Sequence, residues 1–182
     1  MKYHVSIFIL AISLMACSSP SPLPQKQLYL LDTVPSQNVE LFDDALISVK
    51  VASLPNYLNQ SALVMMTGTH QLEMATNHAW ADRLSNSIER VVRYEYSRAL
   101  QTSTDQNKCT QLCRVSLTIE HFYPSVAGDV FLVGNYSLTQ TEGGTINRQF
   151  NLQGQIQSDG YIGAVEEMRA LLVRLSQQIA EQ

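Results

Sequence analysis

Three cysteines carry the most distinctive chemistry in this 182-residue chain: Cys17, Cys109 and Cys113. A thiol can act as a nucleophile, a metal ligand, a lipid acceptor or half of a disulfide, and its neighbourhood decides which. Cys17 closes an apolar run, directly after Leu14-Met15-Ala16. Cys109 and Cys113 lack the C-x-x-C spacing of a redox or metal pair, and no His stands near them in sequence. His70, His78 and His121 are isolated by spacing, which favours structural or solvated roles over metal ligation. Asp43-Asp44 is a carboxylate pair in a polar connection and reads as a solvated turn. The chain has no G-x-S-x-G elbow, no H-E-x-x-H and no phosphate loop, and none of its serines sits in a triad context.

The context of Cys17 is the informative one. Lys2 is the only charge ahead of the apolar run from Val5 to Ser13. A basic start, an apolar centre and small residues at the cut make a secretory leader. The run is too short to span a bilayer, which needs about 20 residues. Leu, two small or apolar residues and then Cys looks like a bacterial lipobox. That likeness implies thioether lipidation of Cys17, cleavage before it and acylation of the new amine with a chain such as palmitate. Several acyl chains, each buried methylene contributing about 0.8 kcal/mol, hold a protein on a membrane without spanning it. Ser18 follows, where Asp would favour retention at the inner membrane, so the periplasmic face of the outer membrane is the expected location. In that oxidising compartment the remaining pair, Cys109 and Cys113, is expected to form a disulfide.

The chain therefore divides into a lipoprotein signal peptide at 1–16, a lipidated Cys with a Pro-rich linker at 17–26, and one domain at 27–182. Pro20, Pro22 and Pro24 favour extended polyproline geometry. At about 3.1 Å per residue, residues 18–26 can hold the domain roughly 28 Å from the lipid. The formal net charge is −4 over the whole chain, with no basic cluster, which argues against a nucleic-acid partner. Further apolar runs are too short for a second membrane segment.

Stepping along the domain, residues 27–31 read as a first strand. Residues 46–52 alternate, with Ile47, Val49 and Val51 on one side and Ser48 and Lys50 on the other, as in a half-buried strand. Residues 62–67 and 70–75 read as a hairpin turned at Gly68-Thr69. Asn77 is a candidate N-cap for a helix whose apolar face is Trp80, Leu84, Ile88, Val91, Val92, Tyr96 and Ala99. Residues 114–123, 129–141 and 145–157 read as a three-strand meander, with its second turn at Glu142-Gly143-Gly144. A final helix follows Ser158-Asp159-Gly160 with Val165, Met168, Leu172, Leu175 and Ile179 on one face. It is expected to dock on the protein's own sheet, since a coiled coil would need a longer seam. Two helices cannot enclose this many strands, so they must pack on a sheet. The expected fold is a single α/β (α+β) domain, a mixed β-sheet packed by two amphipathic helices. The strand at 70–75, the first helix and the strand from Arg114 could form one crossover unit.

Several stretches then resemble a known family. They are Tyr29-Leu30-Leu31, Val51-Ala52-Ser53-Leu54-Pro55-Asn56-Tyr57-Leu58, Leu63-Val64, residues 77–84 with Trp80-Ala81, Gly160-Tyr161 and residues 175–180. Together they look like the PqiC-type lipoproteins, auxiliary lipoproteins of ABC-type and MCE-domain transport systems. Arg83 stands where the family would have Pro, and Met65-Met66 where a polar or basic residue is more usual. The resemblance implies a mixed α/β domain without enzymatic activity or cofactor. It also implies docking to a periplasm-spanning MCE-domain protein and support of membrane integrity through transport of lipid or other hydrophobic cargo. Docking on a ring-shaped tunnel favours a ring-shaped homo-oligomer. The candidate contact residues are Tyr57 and Leu58, because loops carry contacts; Met65 and Met66, as an adaptable apolar patch or as strand core; and Trp80, as core or as an interface anchor. A lipid-anchored periplasmic hydrolase is the alternative, and a closed pocket with perturbed titratable groups would favour it.

Overall fold

The central strands follow from simple alternation. The structure, a computed structural model, describes residues 24–32, 46–102, 112–140 and 144–182. In β5 (Cys113–Pro124) Val115, Leu117 and Ile119 are fully buried, and in β6 (Asp129–Gln140) so are Val130, Leu132 and Leu138. Period-two burial of this kind puts one face of a strand on a core. The two strands pair antiparallel, and β7 (Gly144–Gln155) continues the meander without a break in register. β2 (Ile47–Ser53) adds to the other side of β5 in parallel, giving the order β2-β5-β6-β7.

One irregularity matters for what lies above it. The β5–β6 register shifts between Ile119 and His121, leaving Glu120 as the extra residue of a bulge. Gly134 lies opposite, where a Cβ would overlap the Thr118 carbonyl and come within 2.9 Å of Phe150. Only glycine admits that close approach.

A second sheet has the order β1-β4-β3. β3 (Ala62–Gly68) and β4 (Gln71–Trp80) form the expected hairpin, and β1 (Gln27–Tyr29) lies parallel to the far end of β4. The two sheets meet at a single parallel bridge between Met66 and Ser125, where Val126 N–H donates to the Met66 carbonyl at 3.0 Å. The mixed sheet expected from sequence is thus two mixed sheets. The expected crossover is also corrected: β4 and β5 lie in different sheets, and the parallel partner of β5 is β2.

Helix α1 runs over Leu84–Thr102 and α2 over Gly160–Ala180. They pack against each other and on the four-stranded sheet, α1 mainly over β2 and α2 over β5, β6 and β7. Leu84, Ile88, Val91, Val92 and Tyr96 of α1, and Val165, Met168, Leu172, Leu175 and Ile179 of α2, are all buried. The expected start of α1 at Asn77 is wrong. Residues 77–80 stay extended because the backbone there is claimed by pairing, His78 with Gln27 and Ala79 with both Leu28 and Ala62. Helical geometry would break those ladders.

Charged residues that the helical pattern assigns to the solvent side are in fact structural ties. Arg90 donates to Asp32 beyond β1 at 2.7 Å, to Asp82 ahead of α1 at 2.8 Å and to Ser87 at 3.1 Å. The Arg90 hydrogen bond holds the Asp32 carboxyl below its ordinary pKa against the opposing cost of burial. Glu95, buried in α1, accepts from Arg169 of α2 at 2.7 Å and from Arg98 at 3.3 Å.

Candidate functional site

Two of the five residues expected to meet a partner are core. Leu58 is buried, its N–H closing a turn onto the Pro55 carbonyl at 2.9 Å. Trp80 is buried at the end of β4, opposite Tyr29, and its N–H donates to the Ser61 carbonyl at 2.7 Å. Trp80 fills the core as one of its two readings held, though from a strand and not from the first turn of a helix. Neither residue can anchor an interface while it holds these positions.

Tyr57 is half-buried over the β5 bulge. Its hydroxyl donates to the Glu120 carbonyl at 2.8 Å, and its ring lies 6.2 Å from that of Tyr123. Burial, with Tyr123 beside it, pushes the Tyr57 phenol up to about 12. It therefore stays protonated and acts as a donor, not as a base or nucleophile. His121 Nδ1 sits 3.3 Å from the Tyr57 hydroxyl and 3.2 Å from that of Tyr123. Tyr123 in turn leans on Phe131, so this corner is a ladder of rings clasping the loop to the sheet.

Met65 and Met66 do not form one patch. Successive strand residues point to opposite faces, and the cross-strand partners differ accordingly: Glu73 faces Met65, and Leu72 faces Met66. Met65 lines a groove of about 480 Å³ at the junction of the two sheets. Val126 in the β5–β6 turn, Ile156 after β7 and Tyr161 at the start of α2 supply its other apolar walls. Gly128 and Gly160 shape the rim at φ +91° and +77°, a region that glycine enters without strain. Val126 is 65 % exposed and Ile162, next to Tyr161, is 64 % exposed.

One side of the groove is stiffened by stacked rings. Tyr161 stacks on His78 at 3.8 Å, and His78 Nδ1 is 2.8 Å from the Tyr29 hydroxyl. Burial first, and Tyr161 second, raise the Tyr29 phenol. So His78, isolated in sequence, is held in space by two tyrosines from β1 and α2. The apolar and aromatic walls of the groove are joined by polar side chains, Ser125, Gln157, Ser158 and the carboxylate of Asp159. Sequence reasoning missed Val126 and Ile156 as groove residues. The one available signal was an exposed β-branched residue in the Ser125-Val126-Ala127-Gly128 turn.

The face of the larger sheet turned away from the helices is of another kind. Ser116, Thr118, Asn135, Ser137, Asn147 and Gln149 share it by register, with Lys50 and Arg114 toward the β2 edge and Phe131 and Val133 along β6. Cys113 is buried at the start of β5, its N–H donating to the Leu46 carbonyl at 2.7 Å. Cys17, Cys109 and Asp43-Asp44 lie outside the described residues. Among the described residues no group of three His, Cys, Asp or Glu side chains could hold a metal, and no helix is long and apolar enough to cross a membrane.

Comparison with known proteins agrees with this picture. The family described as ABC-type transport auxiliary lipoprotein component matches residues 29–180. The chain is 25 % identical over 180 residues to the intermembrane transport lipoprotein PqiC of Escherichia coli K12, covering 97 % of this chain and 95 % of that one. The PqiC of Shigella flexneri matches to the same extent. Among solved structures, an uncharacterized protein superposes with a TM-score of 0.70 at 24 % identity, covering 86 % of this chain and 97 % of its own. Protein XCC0632 from Xanthomonas campestris superposes with a TM-score of 0.55 at 11 % identity, covering 88 % and 86 %. These two likenesses concern the fold alone.

Proposed function

The chain belongs to the family of ABC-type transport auxiliary lipoprotein components, and from that premise we propose that it docks a periplasm-spanning MCE-domain partner at the outer membrane. It would thereby help hydrophobic cargo, lipid above all, pass between membranes and so support membrane integrity. The leader at 1–16 would be removed, Cys17 lipidated on the periplasmic face, and the Pro-rich linker at 17–26 would set the reach of the domain at 27–182. The observation that carries the docking reading is the groove of Met65, Val126, Ile156 and Tyr161, whose Val126 is 65 % exposed. Monomers seldom leave such apolar rims idle. Met65 is the one contact residue of the sequence reading that lines it; Tyr57 serves as a neighbouring clasp. Subunits arranged head to tail into a closed ring would repeat the groove around a tubular partner.

The role is non-enzymatic. The hydrolase alternative gains no support from the described residues: in the corner of His121, Tyr57 and Tyr123 the Tyr57 phenol stays protonated. The test places a photocrosslinking residue at Val126 in cells. Crosslinks should reach an MCE-domain protein, and deletion of the chain should weaken the outer-membrane barrier. Mass spectrometry of the mature N-terminus should show an acylated Cys17. Hydrolysis of a lipid or peptide substrate by the purified domain, with no crosslink to a transport component, overturns the reading.

A further inference from the structure

Met66 points away from the groove, and the face it shares is the unexplained surface of the molecule. Cross-strand pairing sets Met66 opposite Leu72 and Val64 opposite Met74. Past a register shift between Ala62 and Val64, Ala62 pairs with Ala79 and Ala79 with Leu28 of β1; Val64 and Ala79 are themselves buried, so the exposed apolar side chains fall at the two ends of the sheet. Every one of these side chains is apolar and none is charged. Leu72 is 38 % exposed, Met74 53 % and Leu28 64 %, and Leu30 just beyond β1 is 56 % exposed. Four large apolar side chains left in water at the two ends of one small sheet call for a partner.

We propose that this face of the small sheet rests on the lipid bilayer that carries the anchor. The argument is the position of the chain. Pro24, the first described residue, leads directly into β1 and its exposed Leu28. Cys17 stands only seven residues earlier, so even fully extended the connection spans about 25 Å. Leu28 and Leu30 are therefore the apolar surface nearest the lipid, and the rest of the face follows from the same sheet. An apolar face without charge or buried hydrogen-bonding groups asks nothing of its partner except an apolar interior, which acyl chains supply. Lys26, beside β1, would meet the anionic headgroups at the rim.

The inference rests on the lipid anchor of the proposed function, and its test separates the two. The mature lipoprotein is placed on vesicles of phosphatidylethanolamine with a minority of phosphatidylglycerol, with or without bromine on the acyl chains. Leu72→Trp and Met74→Trp add reporters on the face, and Asn147→Trp on β7 adds a control; the native Trp80 is buried and contributes a constant background. The reporters at 72 and 74 should lose emission in the brominated vesicles, and the control should not. A second pair, Leu72→Asp and Met74→Asp, should leave the anchored protein on the vesicles but lose protection of β4 from hydrogen exchange there. Unquenched reporters in a protein whose Cys17 is acylated overturn the face while leaving the anchor standing. Equal quenching of all three positions means tumbling on the tether and likewise overturns it. An unacylated N-terminus removes the anchor and this inference with it.

Discussion

Replacing Leu172 by Ala tests whether α2 belongs to the domain core or to a partner. Leu172 is fully buried, as are Leu171 and Leu175 beside it, and α2 lies over β5, β6 and β7. The change removes three carbons, which at about 0.8 kcal/mol each accounts for roughly 2.4 kcal/mol of transfer energy. The cavity left behind adds about 24 cal/mol per Å³ that the neighbours fail to fill. Leu172 shares one buried cluster with strand residues of the sheet beneath it, so collapse is limited and the total should fall in the upper part of about 2–5 kcal/mol. For a domain of this size each kcal/mol lowers Tm by about 2–4 °C. Urea unfolding of the soluble domain, followed by circular dichroism, should show a lower midpoint with an unchanged m-value. Gln178→Ala, on the exposed side of the same helix, should stay within about 0.5 kcal/mol of the parent. A loss at position 172 no larger than that of the control, accompanied by loss of partner binding, would refute the packing argument and make this face an interface.

The Asp32–Arg90 tie should show itself as a pH dependence. Because the Asp32 pKa is lowered in the folded state, the tie contributes stability that is present above the ordinary carboxylate pKa and is lost as pH falls through the depressed one. Asp32→Asn should thus cost Tm at neutral pH and little near pH 2; an equal cost at both pH values contradicts the linkage. Cys113 and Cys109 should be joined when the protein is purified from the periplasm, a small loop worth about 2 kcal/mol, and titration of two free thiols under non-reducing conditions would count against the bridge.

Much of the fold was legible because each strand and helix carries one dominant period. Val115, Leu117 and Ile119 read as a half-buried strand in isolation and are one. Leu172 and Leu175 read as the inner face of a helix and are that. The failures came where two periods compete. From Asn77 to Leu84 the apolar residues fit a helical face, but β1 and β3 both demand extended backbone at 78–80, and tertiary pairing outweighs a pattern that short. The division into two sheets was equally hidden, because nothing local in β4 says that its parallel neighbour is β1. The ties of Arg90 and Glu95 were hidden for the opposite reason. A charge on a helix looks solvated until an element distant in sequence, Asp32 or Arg169, is brought against it.

The contact residues divide along the same physical line. Sequence can nominate a loop, as with Tyr57-Leu58, but the alternation within that loop sends Leu58 to the core and leaves Tyr57 half outside. It can nominate Met65-Met66, but period-two geometry gives the pair to opposite faces of one sheet. That split has a mechanical consequence if both proposals hold. The groove lined by Met65 and the lipid-facing surface of Met66 and Leu72 would be separated by little more than the thickness of one sheet with its side chains, about 10 Å. A domain swinging on its linker alone could sit roughly 28 Å from the lipid and point the groove anywhere. Resting the small sheet on the bilayer removes that freedom before the partner arrives. The ordering cost is then met by apolar contact with lipid, and the groove is presented at a fixed height and direction to a tube approaching the membrane end-on.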